Sequence, residues 1–200
     1  LTEEMQEAYS ECDYIGEIGM DSVWCDIPLD IQQKRLEEQL QIAADLKKPV
    51  LQHTKGQEKR IAELLRGFPY HICVHWYSGT EQDLEPYLDL GCYFTLGPDF
   101  SAACGSAADR RLLRGFSKEE KKQKRSLYQR MLQEIPVERL FIETDGISAV
   151  AWTMGEAEAE WNMLPFALQA NMQSLAEATG KNEAELQRQL CRNLGRFLQG

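Results

Sequence analysis

The sequence lacks several features that would place it in a specialised class of protein. Its six cysteines form no Cys-x-x-Cys pair, which argues against a zinc ribbon or a small disulfide framework. No apolar run approaches the roughly 20 residues that cross a bilayer, and the amino terminus has no signal-peptide core. Long Gly-, Pro- or Ser-rich tracts are also missing. These absences predict a soluble, cytoplasmic, globular protein with no membrane contact, no stable protein partner, and reduced cysteines that act as small buried side chains.

Basic charge is also in short supply. Lys and Arg number 22 against 32 Asp and Glu, a formal net charge of -10. Because phosphate contacts depend on Lys and Arg, this balance excludes a broad nucleic-acid-binding surface but leaves room for a local basic patch. The one dense basic segment, 118–130, fits a solvated helix face with Leu127 and Met131 turned inward. With 43% hydrophobic residues, the chain is long enough for a single domain over 1–200.

Short apolar runs alternate with longer stretches of helical periodicity, the pattern of βα units around a parallel sheet. The predicted strands are 13–18, 49–53, 71–76, 91–96 and 139–144. The spacing of Leu36, Leu40 and Ala43 predicts a helix over 31–47, with Asp30 as its cap.

Further helices are predicted from their ends. Thr80 and Ser117 are each followed three residues later by an acidic residue, which marks a helix start. Two carboxyl-terminal helices are expected, one with the apolar stripe Leu164, Leu168, Met172 and Leu175 and a stop at Gly180. The other starts at Asn182 and carries the stripe Leu186, Leu190, Leu194 and Phe197. The Ala-, Ser- and Gly-rich segment 100–115 is predicted to be a long surface loop.

Four potential metal ligands come at the end of apolar runs: Glu17, His53, His75 and Asp145. In a parallel β/α barrel the carboxyl ends of the strands converge on one mouth, so these four side chains can meet there. Two imidazoles and two carboxylates suit a divalent cation such as Zn, Mg or Mn, which would acidify water for hydrolysis. A single strand-end histidine is more often a hydrogen-bonded core residue, and we assign that structural role to His71, at the opposite end of its strand.

The motifs at these positions, in this order, resemble the TatD family of metal-dependent deoxyribonucleases. They are Gly16-Glu17-Ile18-Gly19-Met20-Asp21, Pro49 to His53, His75-Trp76-Tyr77-Ser78-Gly79, Glu143-Thr144-Asp145, and the closing Asn193 and Phe197. The resemblance implies a TIM-like β/α barrel of parallel strands and a site for two metal ions. It also implies that Glu17 bridges the ions, that His53 and His75 hold one of them, and that Asp145 acts as the general base. DNA is the implied substrate.

The sequence departs from the family at one important point, because the His-x-His pair of the family's first strand occurs nowhere in it. The barrel is therefore expected to be N-terminally incomplete, and the chain to be a fragment or a truncated product. Two alternatives stay open. One is an amidohydrolase or lactonase using the same ligands on C-N or C-O bonds, and the other is a catalytically disabled remnant that lacks one metal site.

Three residues near the ligands are candidates for substrate contact: Trp24, Lys55 and Trp76. An exposed tryptophan can stack on an unpaired base, although packing under a loop explains Trp24 equally well. Lys55 stands where the family has a basic residue and could touch a phosphate, although a solvated lysine is almost as good an explanation. Trp76 directly follows His75.

Overall fold

The computed structural model describes residues 2–105 and 110–199, and within them five strands alternate with helices. The strands are β1 Ile15–Gly19, β2 Val50–His53, β3 Ile72–Val74, β4 Tyr93–Leu96 and β5 Leu140–Ile142. The α-helices are α1 Glu3–Glu11, α2 Leu29–Asp45, α3 Glu58–Leu64, α4 Glu81–Asp89, α5 Phe100–Cys104, α6 Lys118–Glu134, α7 Gly146–Met154, α8 Met163–Thr179 and α9 Glu183–Leu198, with 3-10 helices at Arg110–Leu113 and Val137–Arg139. The strand order is β1-β2-β3-β4-β5. This confirms the α/β class with a parallel sheet.

The chain divides into two compact units. The first unit contains the chain up to Phe94 together with the residues from Leu194 onwards, and the second unit is Thr95–Asn193. No described helix combines the length and the hydropathy that a membrane-spanning segment requires. All six cysteines are free, and only Cys73 and Cys92 are buried, so the prediction that the cysteines are small core residues is wrong for Cys12 and Cys191, which are exposed.

In the first unit, β1 to β4 pair in parallel, and a helix connects each strand to the next because parallel neighbours need a crossover. Gly19 pairs with His53, and Gln52 pairs with Val74. The carboxyl ends of β1, β2 and β3 therefore lie side by side, which is the edge where the predicted ligands emerge.

Helix α2 covers this sheet with the face that its spacing predicts, since Leu36, Leu40 and Ala43 are buried. The predicted cap is wrong, because the helix begins at Leu29 after Pro28, and Asp30 lies in the first turn. There the aspartate charge still favours the positive end of the helix. The buried face also includes the polar Gln32.

The second unit contains a helix where the sequence predicts a surface loop. Within 100–115, α5 and the 3-10 helix at Arg110–Leu113 place Phe100, Ala103 and Leu112 in the core, whereas residues 106–109 lie outside the described part. The small side chains allow a close approach, and buried Asn171 satisfies the backbone by accepting from Ser101 N–H at 3.0 Å and donating to Gly97 O at 2.7 Å. The loop prediction is wrong because it was based on the small size of the side chains and did not consider that a side chain elsewhere could satisfy the buried backbone groups.

Several helix ends follow the sequence. Thr80 and Ser117 accept from the N–H groups three residues later, Asn182 accepts from Glu185 N–H, and Gly180 ends α8 in the left-handed region. Leu127 and Met131 are buried in α6 as predicted. The basic face of α6 is not uniformly solvated, because the Lys124 ammonium lies 2.6 Å from the fully buried Asp99 carboxylate.

The two predicted carboxyl-terminal stripes are partly wrong. Leu168 and Leu194 are exposed, and the buried face of α8 instead includes Met163, Ala167, Asn171 and Leu175. In α9, Asn193 is fully buried and donates to Val137 O at 2.7 Å and Leu140 O at 2.9 Å. Positions on the packed faces are taken by polar side chains that hydrogen-bond to the backbone of adjacent segments, so some of the predicted leucines lie outside these faces.

Candidate metal centre

Three predicted ligands come together at one edge of the first unit. Glu17 lies within β1, His53 is the last residue of β2, and His75 directly follows β3. Because these strands are parallel neighbours, their three side chains reach the same place. Within residues 2–105 and 110–199, this is the one group of three or more His, Cys, Asp and Glu residues whose ligand atoms all lie within 4.8 Å of one another.

One carboxylate oxygen is the centre of the cluster. Glu17 Oε1 lies 2.7 Å from His53 Nδ1 and 2.9 Å from His75 Nε2. The two imidazole rings are nearly parallel, with centroids 5.8 Å apart and an interplanar angle of 26°. His75 is buried, while the Glu17 side chain is 38% exposed. The cluster is therefore closed on the His75 side and open to solvent at the carboxylate.

The hydrogen bonds within the cluster favour the charged forms of Glu17 and His53. Hydrogen bonds from His53 and then His75 hold the pKa of Glu17 far below its usual value, against the opposing effect of burial. Burial disfavours the charged form of His53, but the hydrogen bonds to Glu17 and Asp21 outweigh it and raise the pKa of His53.

A divalent cation fits this donor set. Ligands at about 2.1 Å from an ion, at tetrahedral or octahedral angles, lie about 3.0 to 3.4 Å from each other. The two histidine nitrogens lie 2.7 and 2.9 Å from Glu17 Oε1, close to this range, and all three ligand atoms lie within 4.8 Å of one another. One carboxylate oxygen with two imidazole nitrogens also matches the preference of borderline cations such as Zn. Glu17, His53 and His75 are thus the residues that would hold it.

A second carboxylate, Asp21, contacts the cluster on the side of the His53 ring that faces away from Glu17. Asp21 Oδ2 lies 3.0 Å from His53 Nε2, the ring nitrogen opposite the one that faces Glu17. Burial would raise the pKa of Asp21, but N–H groups of Trp24 and Val23 and the His53 ring lower it overall. Asp21 had no role assigned from the sequence. Its position in the turn just after β1 could have indicated a role, because an aspartate there can accept hydrogen bonds from the backbone N–H groups of the residues that follow it.

The loops after the first strands place two substrate-contact candidates side by side. Lys55 Nζ lies 4.8 Å from the centroid of the Trp24 ring and donates to Ser78 Oγ at 3.0 Å. Trp24 is 59% exposed, so it does not pack under a loop. Lys55 is half-buried and engaged, so it is not simply a solvated lysine. Trp76, directly after β3, is half-buried with a φ of 34°.

The remaining histidine and the fourth predicted ligand lie elsewhere in the chain. His71 precedes β3, and its Nδ1 lies 3.2 Å from Phe197 O, with its ring against Tyr93 and Phe197. This confirms its structural role. Asp145 belongs to the second unit, where it follows β5 with a φ of 53° and precedes α7. Its participation in the cluster stays a prediction.

The fold and the cluster together define a class, the α/β proteins with a carboxylate-and-imidazole site suited to a divalent cation. Within that class the chain belongs to the TatD family, because the family model described as TatD related DNase matches residues 2–199. The metal-dependent hydrolase family expected from the motifs is thereby confirmed.

Curated relatives and a solved structure agree with this assignment. The chain is 33% identical over 134 residues to the 3'-5' ssDNA/RNA exonuclease TatD of Rahnella sp., which covers 66% of this chain and 44% of the relative. It is 31% identical over 134 residues to the human 3'-5' RNA nuclease TATDN2, covering 65% of this chain and 15% of that protein. The chain thus spans less than half the length of either relative. The crystal structure of YjjV, a TatD homolog from Escherichia coli, shares the fold over 99% of this chain and 70% of its own, at 22% identity and a TM-score of 0.69.

Proposed function

We propose that this chain carries the metal centre of a nuclease that hydrolyses phosphodiester bonds in single-stranded nucleic acid. The observation behind the proposal is that Glu17, His53 and His75 form a cation-sized donor set in a chain of the TatD family. A bound divalent cation would supply Lewis-acid chemistry, acidifying water and polarising a phosphoryl oxygen. DNA is the substrate inferred from the motifs, and RNA is added because the relatives' names include it.

The proposed cation is Zn, Mg or Mn, and the proposed complete site would take two ions. Glu17, His53 and His75 would hold one ion, and Glu17 with Asp145 would hold the other, with Asp145 also acting as the general base. In that role Asp145 would take a proton from the attacking water as the phosphorus bonds to that water's oxygen, and would pass the proton on to the sugar oxygen that leaves. This assignment requires the single-domain organisation expected over 1–200.

Trp24, Lys55 and Trp76 are the proposed contacts to the substrate. The exposed Trp24 ring offers a stacking face for an unpaired base, an interaction worth about 1–3 kcal/mol per base that tolerates any sequence. Lys55 stands beside the same ring and brings a cation to the adjoining phosphate. Together they form a local basic and aromatic patch on a chain whose net charge of -10 is unfavourable for nucleic acid.

The substrate contacts are tested with Trp24→Ala. We expect KM for single-stranded DNA to rise roughly 5- to 150-fold, corresponding to one lost stacked base, with kcat and cation affinity unchanged. The control is Trp161→Ala, which removes another highly exposed tryptophan, 75% accessible, from the second unit. Equal KM for the two variants would rule out Trp24 as a base platform.

The activity itself is tested with end-labelled single-stranded DNA and RNA in the presence of Mn²⁺, Mg²⁺ or Zn²⁺. We expect cation-stimulated cleavage that is lost in Glu17→Gln and Asp145→Asn and retained in Glu11→Gln, a matched change at an exposed position outside the cluster. Unchanged turnover in Asp145→Asn would refute the general-base assignment. Unchanged turnover in Glu17→Gln would refute the proposed metal centre.

Two further measurements separate this proposal from the alternatives. Small lactones and amides are offered as substrates beside DNA, and hydrolysis of these compounds without DNA cleavage would favour a C-N or C-O hydrolase. Elemental analysis of the purified protein counts the ions. About two equivalents would contradict a disabled remnant, and none would support it.

A further inference from the structure

Asp21 is bound at both of its carboxylate oxygens, and the two oxygens serve different parts of the molecule. Oδ2 lies 3.0 Å from His53 Nε2. Oδ1 accepts from the N–H groups of Val23 at 2.7 Å and Trp24 at 2.8 Å. One side chain, only 14% exposed, thus joins a ligand of the cluster to the turn that carries the exposed tryptophan.

The contact with His53 selects which ring nitrogen is available to a cation. A carboxylate accepts hydrogen bonds and does not donate them, so Asp21 Oδ2 favours a proton on Nε2. Both ring nitrogens face a carboxylate, since Nδ1 lies 2.7 Å from Glu17 Oε1. A cation bound beside Glu17 would take the place of a proton on Nδ1, and the neutral ring would then keep its proton on Nε2, in the hydrogen bond to Asp21. A carboxylate behind a histidine ligand also fixes the ring orientation and raises its basicity.

The turn that carries Asp21 is held in place independently of His53. Gln32, on the buried face of α2, accepts from Asp21 N–H at 2.7 Å through Oε1 and donates through Nε2 to Asp21 O at 2.9 Å and Ile27 O at 2.7 Å. Ser22 N–H donates to Lys55 O at 3.1 Å. The backbone at Asp21 is therefore fixed on both sides, and the carboxylate has little freedom to leave His53.

We infer that Asp21 is a positioning residue, which sets the His53 tautomer for cation binding and at the same time anchors the Trp24 turn. This inference rests on the proposed function only in that it gives the cluster a cation to hold. It extends that function by coupling the metal centre to the proposed base-stacking residue through one carboxylate.

The test replaces Asp21 with asparagine. The amide oxygen keeps an acceptor for the Val23 and Trp24 N–H groups, but the amide nitrogen presents a donor to His53 Nε2 and moves the ring proton to Nδ1. We expect Asp21→Asn to bind Zn²⁺ about 10- to 100-fold more weakly by calorimetry. In ¹⁵N-histidine spectra of the Zn²⁺-loaded full chain, we expect His53 to carry its proton on Nε2 and the cation on Nδ1, and we expect a smaller share of this form in Asp21→Asn at the same Zn²⁺ concentration.

The control is Asp26→Asn, the same change at an exposed aspartate of the loop between β1 and α2. We expect Zn²⁺ affinity within about twofold of the original. If Asp21→Asn does not fold, Asp21→Ser carries the test, since its hydroxyl can still accept from the turn while the His53 contact is lost.

Three outcomes decide the inference. Unchanged Zn²⁺ affinity and an unchanged His53 proton pattern in Asp21→Asn would overturn it, as would a failure of the original chain to bind Zn²⁺ at all. Weaker binding with a changed proton pattern would support it. The proposed nuclease function is judged separately, because a chain that binds Zn²⁺ and cleaves no DNA or RNA would lose that function and keep the role of Asp21.

Discussion

Gly19→Ala tests whether the close pairing of β1 with β2 builds the metal centre. Gly19 pairs with His53 at the carboxyl ends of these strands. A Cβ at Gly19 would lie 2.1 Å from His53 O and 2.8 Å from Gln52 Nε2. A carbon in contact with a carbonyl oxygen needs about 3.3 Å, so the shortfall at His53 O is about 1.2 Å.

Neither obstacle can move aside at low cost. The first is backbone, and the second is a fully buried amide that donates to Ile18 O and His53 O, both at 2.8 Å. The strands must therefore separate by about an ångström, which costs about 1–3 kcal/mol of overpacking. For a chain of this size that corresponds to a fall in unfolding temperature of roughly 2–12 °C. The same separation moves His53 away from Glu17, so Zn²⁺ affinity falls as well.

The assay combines thermal unfolding with calorimetric titration of Zn²⁺. The matched control is Gly195→Ala in α9, where a Cβ meets nothing within 4 Å and alanine should stabilise the helix by about 0.5–1 kcal/mol. A Gly19→Ala protein with unchanged unfolding temperature and unchanged Zn²⁺ affinity would refute the reasoning that strand proximity positions the ligands.

Three further predictions follow from the ion pairs and the cluster. Lys124→Met leaves the buried Asp99 carboxylate without its cation and should lower the free energy of unfolding by about 3–5 kcal/mol, measured by urea denaturation. In EDTA, the stabilisation from the cluster should be greatest between pH 4.5 and 6.5. Because the pKa of His53 is raised on folding, its contribution to the free energy of unfolding is complete below the unfolded pKa of 6.5 and is lost as pH rises through the folded pKa. Because the pKa of Glu17 is lowered on folding, its contribution is complete above the unfolded pKa of 4.5 and is lost as pH falls. Comparing unfolding temperatures with those of His53→Gln across pH checks this, and a pH-independent difference would contradict it. Zn²⁺ at 100 times its dissociation constant should stabilise the chain by about 2.7 kcal/mol, and His75→Ala should abolish that gain in a thermal-shift measurement.

The sequence predicts best where the physical cause is local. The starts of helices at Thr80 and Ser117 depend on a side chain and an N–H group three residues apart, and both are confirmed. The sequence predicts buried positions poorly where a polar side chain hydrogen-bonds to backbone groups that are distant along the chain. Asn171 and Gln32 occupy buried helix positions because of hydrogen bonds to residues 11 or more positions away, which helical periodicity cannot detect.

By itself, the sequence determined the α/β class, the family and the three residues that form the cluster, because the apolar runs and the residues that end them can be read directly along the chain. Only the tertiary structure decided that Glu17 Oε1 is shared by His53 and His75, and that Asp21 contacts the far side of the His53 ring. The reason is physical: strand register and side-chain direction arise from packing between segments more than 30 residues apart, and a shift of one residue would turn each ligand to the other face of the sheet.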